Sequence, residues 1–379
     1  MIKRDISAKL QSLLKKYPIV ALTGPRQSGK STLLKHLLPN FQYVNLERPD
    51  IREFAENDPN GFLAQYSTPI ILDEVQNVPN LFSYLQVIVD EKKEMGQFVL
   101  SGSSQFKLRE SISQSLAGRV SIFNLLPLSI NELKQVQQNL KVSHFKQLVK
   151  GFYPAIYDRN ISSHDYYGDY LQTYIERDVR SLINVKDLKQ FQRFLKLCAG
   201  RVGSLVNYTS IGNDLGLSRE TIKTWLNVLE ASYIAYELPP YYKNFNKRVI
   251  KSSKLYFYDT GLLSYILGVN EESIQMHPLK GGVFENYVIN EFIKERFNNH
   301  QQAEFYFFRD SGGNEVDLIA EEKGAIMAYE IKSSQTFSKD FIKGLKKFKE
   351  LVGDSLSSGA VIYAGDIKSR VDTFDVVPF

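Results

Sequence analysis

The segment GPRQSGKS, residues 24–31, spaces two glycines, a lysine and a hydroxyl as GxxxxGK[ST]. Glycine lets a backbone turn its N–H groups inward, and a helix starting just behind them adds the positive end of its dipole. Such a loop cradles phosphate oxygens. Lys30 then supplies a point charge to the β- and γ-phosphates of a nucleoside triphosphate, and the Ser31 hydroxyl ligates Mg2+. Gly24, Pro25, Arg26, Gln27, Ser28, Gly29 and Thr32 complete the cradle. Further along, PIILDE (residues 69–74) is an apolar run ending in two acids. Asp73 can reach the Mg2+ shell, and Glu74 can polarise a water for attack on the γ-phosphate. QFVLSGSSQF (97–106) closes another run with hydroxyls: Ser101, Ser103 or Ser104 either senses the γ-phosphate or merely finishes a turn. Arg119, in SLAGRVSIF, is either an arginine finger donated by a neighbouring copy or a solvated surface arginine. The set predicts Mg2+-dependent hydrolysis of ATP, with Glu74, Arg119 and Ser103 as the catalytic candidates.

Two other collections of charge stand apart from this loop. GGNEVDLIAEEKGAIMAYEIKSS predicts two strands, residues 315–320 and 325–332, joined by a turn over 321–324. Closed symmetrically, that hairpin sets Asp317 opposite Ala328 and Glu315 opposite Glu330, with Glu330 and Lys332 on the face of Asp317. Carboxylates gathered in this way repel one another unless a cation or a solvated edge relieves them. The second collection is KNFNKRVIKSSK (243–254), with five cations, Lys243, Lys247, Arg248, Lys251 and Lys254, and no acid. Tyr241, Tyr242 and Phe245 are interleaved with it, a pattern suited to phosphate contacts on DNA, or to a solvated loop or a surface for the chain's own nucleotide domain.

The elements that must position these residues are legible as runs. PIVALTG, FQYVNLE, PIILDE, QFVLSGS and VSIFNLLPLS are unbroken apolar stretches separated by helical segments, which predicts strands of a parallel sheet covered on both faces. From about residue 145 to 200 the pattern turns helical and aromatic; Tyr166, Tyr170 and Tyr174 share one helix face and read as packing. TSIGNDLG, a turn at Gly216, and RETIKTWLNVLEAS capped by Ser218 predict a helix-turn-helix. Its second helix buries Ile222, Trp225, Leu226 and Leu229 and turns Arg219 and Lys223 outward. SYIAYELPP and KLYFYD come next as strands of a wing, and from residue 282 the expected order is helix, three strands, helix, strand.

At 379 residues the chain is long enough for two or three cores, expected here as 1–145, 146–255 and 256–379. The fold class expected is α/β throughout, with a helical and winged middle. Its single cysteine, Cys198, excludes an internal disulfide and a thiolate metal cage. No stretch reaches the roughly 20 apolar residues of a membrane span, and the N-terminus lacks the apolar core of a secretory signal, so a cytoplasmic protein is expected. The net charge of +5 permits a nucleic-acid partner without demanding one.

Taken together, GPRQSGKST, ILDEVQ, LSGSS, LAGR and LPLS resemble the prokaryotic AAA-type P-loop ATPases that carry a C-terminal domain of unknown function. GFYPA, YIERDV, LEASYIAYELPPYYKNFNKRVIKSSKLYFYDTGL, FENYV and NEVDLI…YEIKSS come after them in the expected order, so the resemblance spans about residues 17–335. It implies an ATPase domain, a winged-helix segment and a restriction-endonuclease-like end. In that context Asp317 and Glu330, with twelve residues between them, and Lys332 fit the D…ExK nuclease pattern. The two carboxylates would hold a second Mg2+ or Mn2+, with Lys332 beside it stabilising phosphate charge. Glu285, on the helix VFENYVINEFIKE, resembles the additional acid of such nucleases. The competing reading is a polar hairpin face or an inherited site that no longer cuts. Two functions of different class emerge: an ATP-driven enzyme acting on DNA, or an ATP-switched regulator or scaffold whose end domain only binds. The partners expected are DNA and further copies of the chain, with no membrane.

Overall fold

The computed structural model describes residues 2–379 apart from 67, 104–111, 113, 137–142, 175–178, 180–187 and 242–249. Ser104, Tyr242, Lys243, Phe245, Lys247 and Arg248 lie outside the described residues, as does most of YIERDV.

The N-terminal part is a five-stranded parallel sheet with helices on both faces. Its elements are α1 (Ser7–Leu14), β1 (Ile19–Thr23), α2 (Lys30–Leu37), β2 (Gln42–Asn45), α3 (Pro49–Asn57), α4 (Pro59–Gln65), β3 (Ile70–Asp73), α5 (Leu81–Lys92), β4 (Phe98–Gly102) and β5 (Val120–Asn124). The strand order is β2-β3-β4-β1-β5. Successive side chains of a strand point to opposite faces, and β1 shows why its run had to be apolar without interruption. Ile19 and Ala21 pack with Phe62 and Leu85 on one face, whereas Val20 and Leu22 pack with Leu10 and Leu33 on the other. Because β4 lies between β1 and β3, the loop after β1 and the acids ending β3 sit across one strand from each other at the carboxyl edge.

The middle part is helical: α6 (Ile130–Lys134), α7 (His144–Lys150), α8 (Pro154–Asp158), α9 (Ser163–Tyr174), α10 (Leu188–Ala199), α11 (Tyr208–Leu215) and α12 (Arg219–Ala231). Gly216 turns the chain between α11 and α12 at φ 67, and the Ser218 hydroxyl accepts from Thr221 N. Ile222, Trp225, Leu226 and Leu229 are buried, and Arg219 and Lys223 are exposed. Tyr166, Tyr170 and Tyr174 are all buried, with Tyr167 beside them. An antiparallel pair, β6 (Ala235–Leu238) and β7 (Lys254–Phe257), comes next. The expected division at 255/256 falls inside β7, and one apolar cluster runs from Leu126 through the middle helices to Ala364.

The C-terminal part comprises α13 (Thr260–Leu267), α14 (Lys280–Asn298), β8 (Phe305–Arg309), β9 (Glu315–Glu322), β10 (Ala325–Lys332), α15 (Lys343–Val352), β11 (Leu356–Tyr363), β12 (Ser369–Val371) and β13 (Phe374–Pro378). Strand order in its mixed sheet is β12-β13-β11-β10-β9-β8. Two strands, β12 and β13, extend the expected helix, three strands, helix, strand. The hairpin also differs from expectation. Ala325 pairs with Glu322 and Ala328 with Ile319, so Ala328 does not face Asp317. The turn is two residues, Lys323 and Gly324, both at positive φ (51 and 85), rather than four. A two-residue turn of this kind matches the twist of its strands, and it moves the register by two positions while keeping each residue on its face. Among the described residues no helix is long and apolar enough to cross a membrane.

Candidate nucleotide site and C-terminal carboxylate cluster

Residues 24–31 form the loop between β1 and α2. Gly24 has φ 156, and a Cβ there would lie 2.2 Å from the Leu125 carbonyl oxygen; Gly29 has φ 93 as the helix begins. Both positions are therefore closed to other residues by contact or by backbone conformation. Lys30 is buried, its ammonium donating to the carbonyls of Gly24 (2.9 Å) and Pro25 (2.8 Å). The Ser31 hydroxyl donates to Asp73 Oδ2 at 2.6 Å, which brings the two expected Mg2+ ligands together. Asp73 accepts two further hydroxyls: Tyr43 on Oδ2 at 2.5 Å, and Ser101 on Oδ1. Burial, with Asp73 next, drives the Tyr43 phenol well above its ordinary pKa, so it remains a donor.

Glu74 sits at φ 55, a left-handed conformation uncommon for a residue with a side chain, and one that costs energy and concentrates at functional sites. Its carboxylate Oε2 accepts from Gln76 Nε2 at 2.5 Å and from Ser103 Oγ at 3.1 Å. Ser103 thus meets Glu74, whereas Ser101 serves Asp73.

Lys30, Ser31 and Glu74 line a cavity of about 700 Å³ together with Arg26, Gln27, Gly29 and Thr32. Its opposite wall comes from the middle part: Pro154 and Ala155, the end of GFYPA, with Asp158, Arg159 and Thr173. Ile2, Arg4 and Leu128 close it from the N-terminal tail and the segment after β5. The volume lies in the range of small-molecule and cofactor sites. A buried ammonium held by neutral carbonyls, a glycine-lined turn and a hydroxyl–carboxylate pair at one rim fit a nucleoside triphosphate with a divalent cation.

Arg4 and Tyr43 belong to this site although the phosphate-loop spacing contains neither. Arg4 is 5% exposed and donates to the carbonyls of Ser28 (2.8 Å) and Leu126 (2.6 Å), with Glu132 3.0 Å from its Nε. Glu132 in turn completes a capping box with Ser129 at the start of α6. Arg119, by contrast, is not brought to the site. It precedes β5 at the amino edge of the sheet, where its carbonyl accepts from Ile19 N. Its guanidinium forms a two-pronged pair with Asp90 at 2.6 and 2.8 Å. The five residues of β1 separate that edge from the loop by about 16 Å at the usual rise.

The C-terminal carboxylates do converge, but around lysines. Lys254 Nζ is 2.8 Å from Glu285 Oε1 and 3.7 Å from Asp317 Oδ1, and it contacts Glu315 more closely. Lys332 Nζ is 2.6 Å from Glu330 Oε1 and 3.2 Å from Asp317 Oδ2. Arg309 takes the other Glu315 oxygen at 3.2 Å. Two expectations from the sequence are corrected by this geometry. Lys254 is 1% exposed and faces carboxylates, so it is not a phosphate contact; it opens β7, all four residues of which are buried, at the end of a run that looks solvated. Nor do Glu285, Asp317 and Glu330 form an open metal site: among the described residues no three His, Cys, Asp or Glu side chains are arranged to hold a metal ion. Burial raises Glu285 to about 7 despite Lys254, and raises Glu330 well above its ordinary value, with Asp317 adding to both. Burial opposes charge on Lys254, but Glu285, Asp317 and Glu315 outweigh it and hold the ammonium protonated.

A family model described as an AAA domain matches residues 16–134. Models described as domains of unknown function match residues 143–273 (DUF8612) and 280–379 (DUF4143). An uncharacterized protein of Mycobacterium tuberculosis is 29% identical, covering 99% of this chain and 83% of that protein. An uncharacterized protein of Methanocaldococcus jannaschii is 23% identical, covering 92% of this chain and 83% of its own length. Among solved structures, a Walker-type ATPase of Pyrococcus abyssi matches with a TM-score of 0.48 and 15% identity, over 70% of this chain and 96% of that one. The parallel sheet and its phosphate loop agree with the match of an AAA domain model to the N-terminal third of this chain, which has a P-loop ATPase-like fold.

Proposed function

We propose that this chain is an Mg2+-dependent ATP hydrolase whose nucleotide state is coupled to DNA contact through its middle part. The observation that carries this reading is the convergence of Lys30, Ser31, Asp73 and Glu74 at the carboxyl edge of one parallel sheet, around a cavity walled on its far side by the middle helices. The triphosphate lies along residues 24–31, its β- and γ-oxygens met by backbone N–H groups and by Lys30. Ser31 and Asp73 would hold Mg2+, which supplies positive charge to the phosphate oxygens. Glu74, aimed by Gln76 and Ser103, takes a proton from a water. The water oxygen bonds to the γ-phosphorus as the bond to the β–γ bridging oxygen breaks, leaving ADP and inorganic phosphate. Leu128 and Pro154 line the same cavity, so the middle part would sense whether the site is filled.

Helices α11 and α12 with strands β6 and β7 read as a winged helix-turn-helix, with Arg219 and Lys223 on the solvent side of α12 for phosphate contact. The mixed sheet with α14 and α15 reads as a restriction-endonuclease-like fold whose acids are paired with lysines. Arg119 reaches a γ-phosphate only in a neighbouring copy, which makes a homo-oligomer part of the reading.

Calorimetry and steady-state turnover test it. Lys30→Ala is expected to lose the heat of MgATP binding. Glu74→Gln is expected to keep that heat while kcat falls by about 10²-fold or more, the usual scale for a general base. Absence of binding heat in the native protein removes the reading, and equal turnover in Glu74→Gln removes the base.

A further inference from the structure

We propose that the acidic cluster of the C-terminal sheet carries its own cation: the ammonium of Lys254 occupies the place a divalent metal would take, so this centre binds neither Mg2+ nor Mn2+ and serves as a charged joint between β7, α14 and β9. The joint does not depend on the nucleotide reading.

Four carboxylates meet here, Glu285, Glu315, Asp317 and Glu330, and each is paired with a cation: Lys254, Lys332 or Arg309. Three cations against four carboxylates leave a single formal negative charge. A divalent ion added beside Lys254 would turn that excess positive, with two cations crowded against the same oxygens of Glu285 and Asp317. Buried charge without a partner is strongly unfavourable, so metal and ammonium exclude each other. Metal–oxygen bonds of about 2.0–2.6 Å require the space that Nζ fills, 2.8 Å from Glu285 Oε1. Nor can Lys254 readily swing aside. Its backbone pairs with Leu238 in β6 and bridges to Leu205, and Nζ lies 5.4 Å from the centre of the Phe307 ring. Through Lys254 a strand of the middle part is tied to a helix and a strand of the C-terminal part, so the ion pairs hold in place what a metal would otherwise bridge.

Removing the ammonium has a definite consequence in this geometry. Glu330 Oε2 is buried without a hydrogen-bond partner, and Lys254→Met leaves Glu285 and Asp317 without their shared cation. The vacated place then suits a divalent ion. Nucleotide-free protein is titrated with MnCl2, monitoring free Mn2+ by its paramagnetic resonance signal and the melting temperature in parallel. The native chain is expected to take up no Mn2+ at this centre and to melt at the same temperature with Mn2+ or with EDTA. Lys254→Met is expected to bind Mn2+ about tenfold or more tightly than the native chain, ~1.4 kcal/mol per tenfold, and to be stabilised by it. Adding Asp317→Ala to that variant is expected to abolish the gain. One Mn2+ bound per native chain and lost in Asp317→Ala overturns the proposal, and so does a folded Lys254→Met that gains no Mn2+. Should Lys254→Met not fold, the native-chain titration decides alone.

Discussion

Asp73 carries three hydroxyl donors, Ser31, Tyr43 and Ser101, drawn from a helix and two neighbouring strands. A carboxylate held from three sides keeps one orientation, which is what a metal ligand needs before the metal arrives. Tyr43 is the donor whose loss leaves the sheet core intact, because its ring is only half-buried. Tyr43→Phe is expected to raise the Mg2+ concentration giving half-maximal ATP turnover several-fold while leaving kcat near native. A hydrogen bond to a charged group contributes about 1.5–3 kcal/mol when buried, and partial exposure puts this one at the lower end. Turnover measured against Mg2+ concentration checks it; an unchanged half-maximal point would mean that Ser31 and Ser101 suffice. Lys30 and Ser31 are legible in the sequence because the phosphate loop fixes residue types at fixed local offsets, and Asp73 and Glu74 because they end an unbroken apolar run. Tyr43 and Arg4 are not, since what gives each its role is a long-range neighbour: Asn45 beside Asp73 in the β2–β3 pairing, and the Ser28 carbonyl reached from the tail.

Whole elements are readable wherever burial on both faces or on one stripe leaves an unambiguous period. The five strands of the parallel sheet and the stripe of α12 are of this kind. The hairpin of β9 and β10 is readable as two strands but not in register, because register depends on whether Lys323 and Gly324 alone make the turn. The place of Lys254 is hidden for a different reason: a run of cations looks solvated until its last member opens a strand buried on both faces, beside carboxylates distant in the chain. On α12 the same logic runs the other way. Its apolar stripe is used by the core, and Arg219 and Lys223 are exposed, so the proposed DNA contact falls to them. The double substitution Arg219→Ala with Lys223→Ala is expected to weaken binding to duplex DNA and to lower the slope of log affinity against log salt by about 2, roughly one for each phosphate no longer neutralised. The melting temperature should stay near native, as neither side chain is packed. A salt slope equal to that of the native chain would take α12 out of the DNA interface.

At the scale of the molecule, the nucleotide cavity belongs to no single part: the phosphate loop, the first turn of α2 and Glu74 after β3 make one wall, and α8 and α9 contribute the other. The core that begins at Leu126 continues through the middle helices into the C-terminal sheet, so a movement at Pro154 is carried by packed side chains rather than by a linker. Among the predicted site residues of the nucleotide domain, Arg119 faces away, at the amino edge of the sheet and paired with Asp90. An arginine placed there can stabilise phosphate charge only on a second copy, and that geometry makes a strong prediction about mixtures. Arg119→Ala alone should lower turnover by about 10³-fold if the finger is used, and Lys30→Ala should abolish turnover through loss of ATP. Mixed in equal amounts, the two inactive chains should regain part of native turnover, because the phosphate loop of one can be completed by Arg119 of the other. A mass measurement with ATP present should find the mixed assembly in the same preparation. If assemblies form but the mixture stays as inactive as its parts, Arg119 acts through its pair with Asp90 and not across a subunit boundary, and hydrolysis is then completed within one chain.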